Sequence, residues 1–303
     1  SRAAAANPHA WTRRGLSARE IIEVTPDNRY INYPYTKCMN ANINVDQSAA
    51  VLMTTAETAR SLGIDPAGWV YPLGGADFSD VWYLSRRPRL DSSPAIRNAS
   101  RLALEQAGLK VSDIDFFDLY SCFPSAVQIA MKEIGIAEDD PRDLTLTGGL
   151  AFFGGPGNNY SLHGIVSAAE RIRTDRSKKA MVTANGWYIT KHSIGVYGGD
   201  PSERPWKERD DSPVQTAIDA EALPEPVEKA EGDLRAEAYV IRHDREGRPL
   251  LGTVIGRLPD GRRTLAHIDA GTDELEEMER IEMVGRTGQV RTVSEKAGNR
   301  VRF

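Results

Sequence analysis

The spacing of apolar residues over residues 48–185 predicts strands that alternate with helices. Short apolar runs have the length of buried strands, and longer segments with apolar residues every three or four positions predict helices. The predicted strands are residues 48–54, 69–73, 114–119 and 179–185, and the predicted helices are residues 56–62, 95–107, 124–134 and 159–172. This alternation predicts an α/β layered domain with a largely buried sheet.

The flanking segments have a different character. Residues 17–22 predict a short helix, because Ser17 and Glu20 have the spacing of a capping box. Residues 26–45 are rich in asparagine and proline, which predicts an extended loop. Residues 200–230 carry five prolines among many charges, a composition typical of a linker.

After residue 231 the pattern changes to short alternating segments separated by turns. The predicted strands are residues 236–241, 250–258, 262–268, 281–284 and 288–293, and one acidic helix is predicted over residues 273–280. Five strands and one helix predict a small β-barrel with an OB-like topology.

Composition excludes several classes of protein. In 303 residues, 40% hydrophobic content is enough to bury a core, and two cysteines, Cys38 and Cys122, cannot build a disulfide framework. The net charge of −5 argues against a general nucleic-acid binder, and residues 231–303 hold 13 basic against 14 acidic residues. No apolar run reaches the ~18 residues of a membrane span, and no zinc or EF-hand spacing is present. We therefore expect a cytoplasmic protein without a metal.

The glycine-rich stretch from Gly148 to Asn158 is the most informative part of the chain. Its backbone N–H groups and the predicted helix that follows at about Asn159 would suit an anion. The spacing matches neither a Walker loop nor the dinucleotide-binding fingerprint. Composition alone therefore favours a tight packing turn over a phosphate site.

Four landmarks in order resemble motifs of the thiolase superfamily. Gly154-Gly155-Pro156 resembles the Gly-His-Pro motif, and Tyr120 to Phe123 are similar to Asn-Glu-Ala-Phe or His-Asp-Cys-Phe. Residues 46–50 resemble the Asp-Gly-Ala-Ala stretch, and Ala184-Asn185-Gly186 occupies the place of Cys-X-Gly. The resemblance covers about residues 1–200 and is nearest to the sterol-carrier-protein-2 thiolase-like group, including the thiolase-like proteins type 1 called acetyl-CoA acetyltransferases in actinobacteria.

The resemblance implies a domain plan. Residues 1–85 would be the end of the first thiolase half with its loop region, and residues 86–200 the second half. Residues 201–230 would be a linker, and residues 231–303 the added β-domain of thiolase-like proteins type 1. We expect that a first half carrying the nucleophilic cysteine is missing from this chain, and that the protein is either a homodimer or a monomer.

The sequence departs from the motifs at the positions of acid/base chemistry. Gly155 stands at the position of the usual histidine, and Ala184 at that of the second cysteine. Neither can move a proton. Tyr120 stands at the asparagine or histidine position, and its hydroxyl can donate to an oxyanion. Cys122 lacks a basic neighbour in the sequence and is expected to be structural.

The remaining candidates are two histidines and a set of polar or glycine positions. His163 and His192 are considered as substitute catalytic residues beside Tyr120, although a lone histidine is more often structural. The backbones of Gly154 and Gly155 are considered as oxyanion donors. Asn158, Asn185, Gly186 and Lys191 are considered as substrate or CoA ligands. The Trp187–Tyr188 pair is expected to pack rather than to stack on a ligand.

These residues leave three functions open. The first is a thiolase-like acyl-CoA-binding protein of the acyltransferase family, with coenzyme A thioester as substrate or ligand and no covalently bound cofactor. The second is a retro-aldolase that cleaves a β-hydroxyacyl-CoA in lipid or steroid breakdown, because some thiolase-fold lyases have a tyrosine at the position of Tyr120. The third is a carrier or sensor of acyl-CoA. In each case the β-barrel is interpreted as a docking or shielding domain.

Overall fold

A computed structural model describes residues 1–294 and 296–303 and divides the chain into two compact units. Unit 1 comprises Ser1–Ser17, Ala41–Asp80 and Asp91–Asp219, and unit 2 comprises Ala18–Asn40, Val81–Leu90 and Ala220–Phe303. Each unit therefore collects segments that are distant in the sequence. No helix within these residues is long and apolar enough to cross a membrane.

The helices and strands follow in chain order. The helices are α1 (Arg2–Ala6), α2 (Ala18–Ile22), α3 (Ala56–Ser61), α4 (Pro94–Ala107), α5 (Pro124–Ile134), α6 (Tyr160–Thr174), α7 (Ser212–Ala220) and α8 (Thr272–Met278). The strands are β1 (Tyr30–Tyr33), β2 (Tyr35–Thr36), β3 (Tyr71–Ser79), β4 (Phe116–Asp118), β5 (Lys179–Gly186), β6 (Lys191–Gly198), β7 (Gly232–His243), β8 (Pro249–Arg257), β9 (Arg263–Ile268), β10 (Thr287–Ser294) and β11 (Gly298–Arg302).

Unit 1 is an α/β layered domain around a four-stranded sheet in the order β3-β6-β5-β4. Strands β4 and β5 are parallel, and β6 runs antiparallel to both of its neighbours. Helix α4 packs on β3 and β6, α5 packs on α4, and α6 packs on β5. The core includes Phe78, Leu102, Phe117 and Met181. The predicted layered fold is confirmed.

Two predictions in unit 1 are wrong. Residues 48–54 form no strand: Leu52 is 87% exposed, and no strand of the described chain pairs with this run. An apolar run can form a buried strand only where a neighbouring strand pairs with its backbone N–H and C=O groups. The predicted linker contains helix α7, and Ile218 on this helix is buried in the core of unit 1.

Unit 2 is built on a closed five-stranded barrel in the order β7-β8-β9-β11-β10, with β10 pairing back to β7. Only β9 and β11 are parallel among these barrel pairs, and α8 lies between β9 and β10 in the chain. This is the strand order of an OB-fold, so the predicted barrel is confirmed. The hairpin β1–β2 extends the sheet beside β7, where Tyr33 is opposite Ile241.

The fifth strand of the barrel is not the predicted one. Residues 281–284 form no strand: Met283 is buried, but Ile281 and Val284 are 41% and 49% exposed and the segment pairs with no strand of the described chain. Strand β11 replaces it. Its segment Gly298–Arg302 contains one apolar residue, Val301, and so gives no clear alternation in the sequence.

The packing of α4 on β3 requires a glycine at position 74. A Cβ there would overlap the carbonyl oxygen of Ala103 on α4. We expect Gly74→Ala to lower the unfolding free energy by about 1–3 kcal/mol, the range for overpacked cores. Gly68→Ala is the matched control, because no atom lies within 4 Å of its added methyl group. Urea denaturation of both variants measures the difference, and equal losses would contradict this packing.

A buried acid–base pair in unit 2 makes stability depend on pH. The Nε2 atom of His243 lies 2.8 Å from Oε1 of Glu279, and its Nδ1 atom lies 3.1 Å from the carbonyl oxygen of Ile241. Burial, followed by the charge of Glu276, raises the pKa of Glu279 to about 7. Burial lowers the pKa of His243. Both shifts favour the neutral forms of the two groups.

The raised pKa of Glu279 means that the folded chain holds this proton more tightly than the unfolded chain. Its contribution to stability is therefore complete below about pH 4.5, the unfolded value, and is lost as pH rises through about 7. We expect the native protein to lose stability relative to Glu279→Gln between pH 5 and 8 in urea denaturation. Glu277→Gln, on the exposed face of α8, is the control. A constant difference between native protein and Glu279→Gln would contradict the shift.

Candidate functional site

A small pocket opens at the carboxyl ends of β4 and β5. Parallel strands and their crossover helices bring the N-termini of α4, α5 and α6 to this end of the sheet, which is where α/β folds bind ligands. The pocket wall is apolar at Ile96, Ala126 and Ile194 and polar at Tyr120, Asn185 and His192, and the free space is about 10 Å³. That is the room of about one water molecule, so the pocket suits a reacting group rather than a whole acyl chain.

Tyr120 follows β4 and is half-buried. Its backbone N–H donates to Oγ1 of Thr183 on β5, and its ring meets Tyr160 edge-on at 5.3 Å. Burial, followed by the nearby Cys122, raises the pKa of the Tyr120 hydroxyl. The hydroxyl is therefore protonated at neutral pH and can donate a hydrogen bond into the pocket.

His192 reaches the same pocket from β6. The strand register places it opposite Asn185 of β5 and Phe78 of β3. The residue is 5% exposed, and its Nε2 atom lies 3.5 Å from Oδ2 of Asp80. Asp80 also accepts hydrogen bonds from the Ser93 hydroxyl and the Ala95 backbone at the start of α4. The pocket thus contains an imidazole beside a buried carboxyl group.

Asn185 supplies an amide to the pocket wall. Its Nδ2 atom lies 3.7 Å from Sγ of Cys122, and its Oδ1 atom is buried without a hydrogen-bond partner in the described residues. Burial is the largest influence on Cys122 and raises the pKa of its thiol. Helix α5 begins just beyond Cys122 and has no side-chain cap at Phe123, so its positive end faces this region uncapped.

The glycine loop is a packing turn in this structure. The Gly155 N–H donates to the Asn42 carbonyl at 2.8 Å, which occupies the donor that was expected to bind an oxyanion. Gly154 has φ +123° and leaves no room for a Cβ beside Gln47, whose Nε2 atom donates to the carbonyls of His9 and Phe153. The close approach of the Gln47 side chain, rather than of a ligand, therefore accounts for a glycine at position 154.

The other candidate residues are spread apart. His163 is 8% exposed on α6, lies 5.1 Å from the Phe153 ring, and does not line the pocket. Burial lowers the pKa of His163. Asn158 and Lys191 are exposed, and Gly186 lies at the end of β5 beside the Lys191 side chain. The structure therefore brings together Tyr120, Asn185 and His192 but not His163.

Two features of the site were missed or misinterpreted in the sequence. Asp80 lies beyond the end of β3 and carries no motif, and only the fold brings it to His192. Trp187 and Tyr188 do not pack in the core: they are 65% and 68% exposed in the turn between β5 and β6. Trp187 and Ile189 have φ of 60° and 53°, a left-handed backbone that is rare for such side chains.

Comparison with known proteins adds family and structural relationships. Residues 76–155 match the family model "Thiolase C-terminal domain-like", and residues 213–295 match "Thiolase-like protein type 1 additional C-terminal domain". A 3-ketoacyl-CoA thiolase of Klebsiella pneumoniae is 33% identical over 113 residues, which are 37% of this chain and 26% of that protein. One from Citrobacter koseri is 32% identical over the same length. The chain thus spans about a quarter of these curated relatives.

A solved structure matches nearly the whole chain. The crystal structure of a monomeric SCP2-thiolase-like protein type 1 from Mycobacterium smegmatis has a TM-score of 0.88 and 37% sequence identity. The match covers 99% of this chain and 64% of that chain. Together with the two family models, this match shows that the chain belongs to the thiolase-like superfamily and carries the additional C-terminal domain.

Proposed function

We propose that this chain is part of a protein that binds acyl-CoA thioesters at the pocket between β4, β5 and β6. The observation that carries the proposal is the convergence of Tyr120, Asn185 and His192 on one pocket. A hydroxyl and an amide can hold a thioester carbonyl, and the uncapped start of α5 favours negative charge there. The names of the 3-ketoacyl-CoA thiolases are consistent with this ligand class.

Ordinary thiolysis or condensation does not suit these residues. That chemistry needs a second thiol as acid and base. At the position expected for this thiol the chain has Ala184, which lines the pocket and cannot transfer a proton. Gly155, at the expected histidine position, has its N–H engaged by Asn42. No cysteine of the described chain lines this pocket. Acyl transfer by this protein would therefore depend on groups other than those of the usual motifs.

A second candidate reaction is retro-aldol cleavage of a β-hydroxyacyl-CoA. The pairing of an imidazole with a hydroxyl in one pocket favours it, because the reaction needs a base and an oxyanion donor but no thiol. His192 would take the proton of the β-hydroxyl group. The β-oxygen then forms a carbonyl as the Cα–Cβ bond breaks, and an aldehyde or ketone leaves. The electron pair of the broken bond passes to Cα and the thioester carbonyl as an enolate. Tyr120 would donate to that enolate oxygen, and a proton returned to Cα completes the shorter acyl-CoA.

Calorimetry of the full-length protein with CoA, an acyl-CoA and a β-hydroxyacyl-CoA tests the ligand class. Mass spectrometry of the same mixtures identifies products. Binding with release of a carbonyl compound supports retro-aldol cleavage, and a new thioester supports acyl transfer. Binding without product supports a carrier or sensor. Absence of binding for all three would overturn the proposal.

The Tyr120 hydroxyl is expected to act mainly in the transition state. We expect Tyr120→Phe to reduce turnover of a β-hydroxyacyl-CoA by about 10²–10³-fold, the cost of one oxyanion donor. The dissociation constant should change much less, because the ring remains. Tyr188→Phe is the control, since this hydroxyl lies in the exposed turn. Equal turnover in Tyr120→Phe and the native protein would exclude the hydroxyl from catalysis.

An activated nucleophilic cysteine has a lowered pKa, whereas the pKa of Cys122 is raised, as expected for a buried structural thiol. We expect this thiol to react slowly with iodoacetamide at pH 7 and faster only as pH rises toward and above 9, because the thiolate is the reactive form. Peptide mass spectrometry of the alkylated protein measures Cys122 and Cys38 separately. Rapid alkylation of Cys122 with a midpoint well below pH 8 would contradict the structural role.

A further inference from the structure

We propose that Asp80 is a positioning residue for His192, which holds the imidazole proton on Nε2 and leaves Nδ1 as the acceptor for the pocket. The proposal rests on the proposed function in one respect only: it takes His192 as the base. The protonation pattern itself does not require that acyl-CoA be the ligand.

The backbone fixes the two residues relative to each other. Strand β3 ends at Ser79, opposite Lys191, and Phe78 is opposite His192 in the β3–β6 register. The Asp80 N–H then donates to the Thr190 carbonyl at 2.8 Å, just before β6 begins. The positions of Asp80 and His192 are therefore set by the sheet rather than by a mobile loop.

The two side chains face each other and are both buried. Nε2 of His192 lies 3.5 Å from Oδ2 of Asp80, and the side chains are only 3% and 2% exposed. This separation is at the outer limit of a hydrogen bond, and such contacts in unliganded sites often shorten when substrate binds. Nε2 makes no hydrogen bond within the described residues. The Asp80 carboxyl group, at 3.5 Å, is the acceptor that a small side-chain movement would bring into range.

Two hydrogen-bond donors from the start of α4 hold the Asp80 carboxyl group in place. The Ala95 N–H donates to Oδ1 at 3.0 Å, and the Ser93 hydroxyl donates to Oδ2. Both donors lie at the N-terminus of the 14-residue helix α4, whose positive end favours negative charge. A neutral imidazole carries one N–H, and a carboxylate that accepts it determines which nitrogen keeps the lone pair. The same division of roles orients the histidine of hydrolase triads.

A purely structural role is the competing explanation, because Asp80 also caps α4. Asp80→Asn separates the two roles, since its amide oxygen can still accept from the Ala95 N–H while the negative charge is lost. Gly108→Ala is the control for α4 stability, because it strains the left-handed end of α4 at φ +70° and changes neither Asp80 nor its hydrogen-bond donors.

Long-range proton–nitrogen correlation spectra of the ¹⁵N-labelled full-length protein report the imidazole tautomer directly. The chain has five histidines, and the His192 signal is the one lost in His192→Gln. We expect the Nε2–H tautomer in the native protein and in Gly108→Ala, and loss of that preference in Asp80→Asn. An Nδ1–H tautomer in the native protein, which needs no variant to be stable, would overturn the proposal. An unchanged Nε2–H tautomer in Asp80→Asn would also overturn it.

Turnover is measured separately. If β-hydroxyacyl-CoA is cleaved, we expect Asp80→Asn to lower kcat by about 10²–10⁴-fold, the range for general-base catalysis, with a much smaller change in the dissociation constant. Gly108→Ala should keep most of the activity. A loss of kcat in Gly108→Ala as large as that in Asp80→Asn would assign the effect to the stability of α4. Correct tautomers without any turnover would reject the retro-aldol reaction but retain the positioning of His192.

Discussion

The position of β6 between β3 and β5 determines the candidate site. Its antiparallel pairing on both sides brings His192 opposite Asn185 on one neighbour and Phe78 on the other. The same pairing carries Asp80 to the Thr190 carbonyl and so to the imidazole. A shift of the register by one residue would point His192 away from the pocket and replace it with Lys191 or Ser193. The chemistry of this site therefore depends on strand pairing as much as on the residues themselves.

Sequence reasoning succeeded for the elements with strong local signals. Helix α4 has a serine–proline start, an apolar face and a left-handed glycine after its last residue, and helix α5 also ends at such a glycine. The barrel of unit 2 is apparent from alternation and turns. The errors occurred where long-range pairing decides: residues 48–54 have strand composition without a partner, and polar β11 becomes a strand because it pairs with β9 and β10.

The site could be anticipated only in part. Motif position identified Tyr120 and Asn185 as candidates, and His192 was considered as a substitute catalytic residue; the structure brings all three to one pocket. The sequence alone could not identify Asp80, because its contact with His192 joins the end of β3 to β6 across more than a hundred residues. Nor could it show that the Gly155 N–H is occupied by Asn42, since that bond depends on how an irregular segment lies against the loop. The pocket therefore combines polar groups that no single sequence motif brings together.

The most direct test is a crystal structure of the full-length protein with a β-hydroxyacyl-CoA analogue in which an amide nitrogen replaces the thioester sulfur. An amide enolate is much less stable than a thioester enolate, so this analogue keeps the carbonyl and the β-hydroxyl but resists retro-aldol cleavage. We expect its carbonyl oxygen within hydrogen-bond distance of the Tyr120 hydroxyl and its β-hydroxyl within reach of His192 Nδ1. An analogue bound elsewhere, or bound here with His192 turned away from the ligand, would contradict the account.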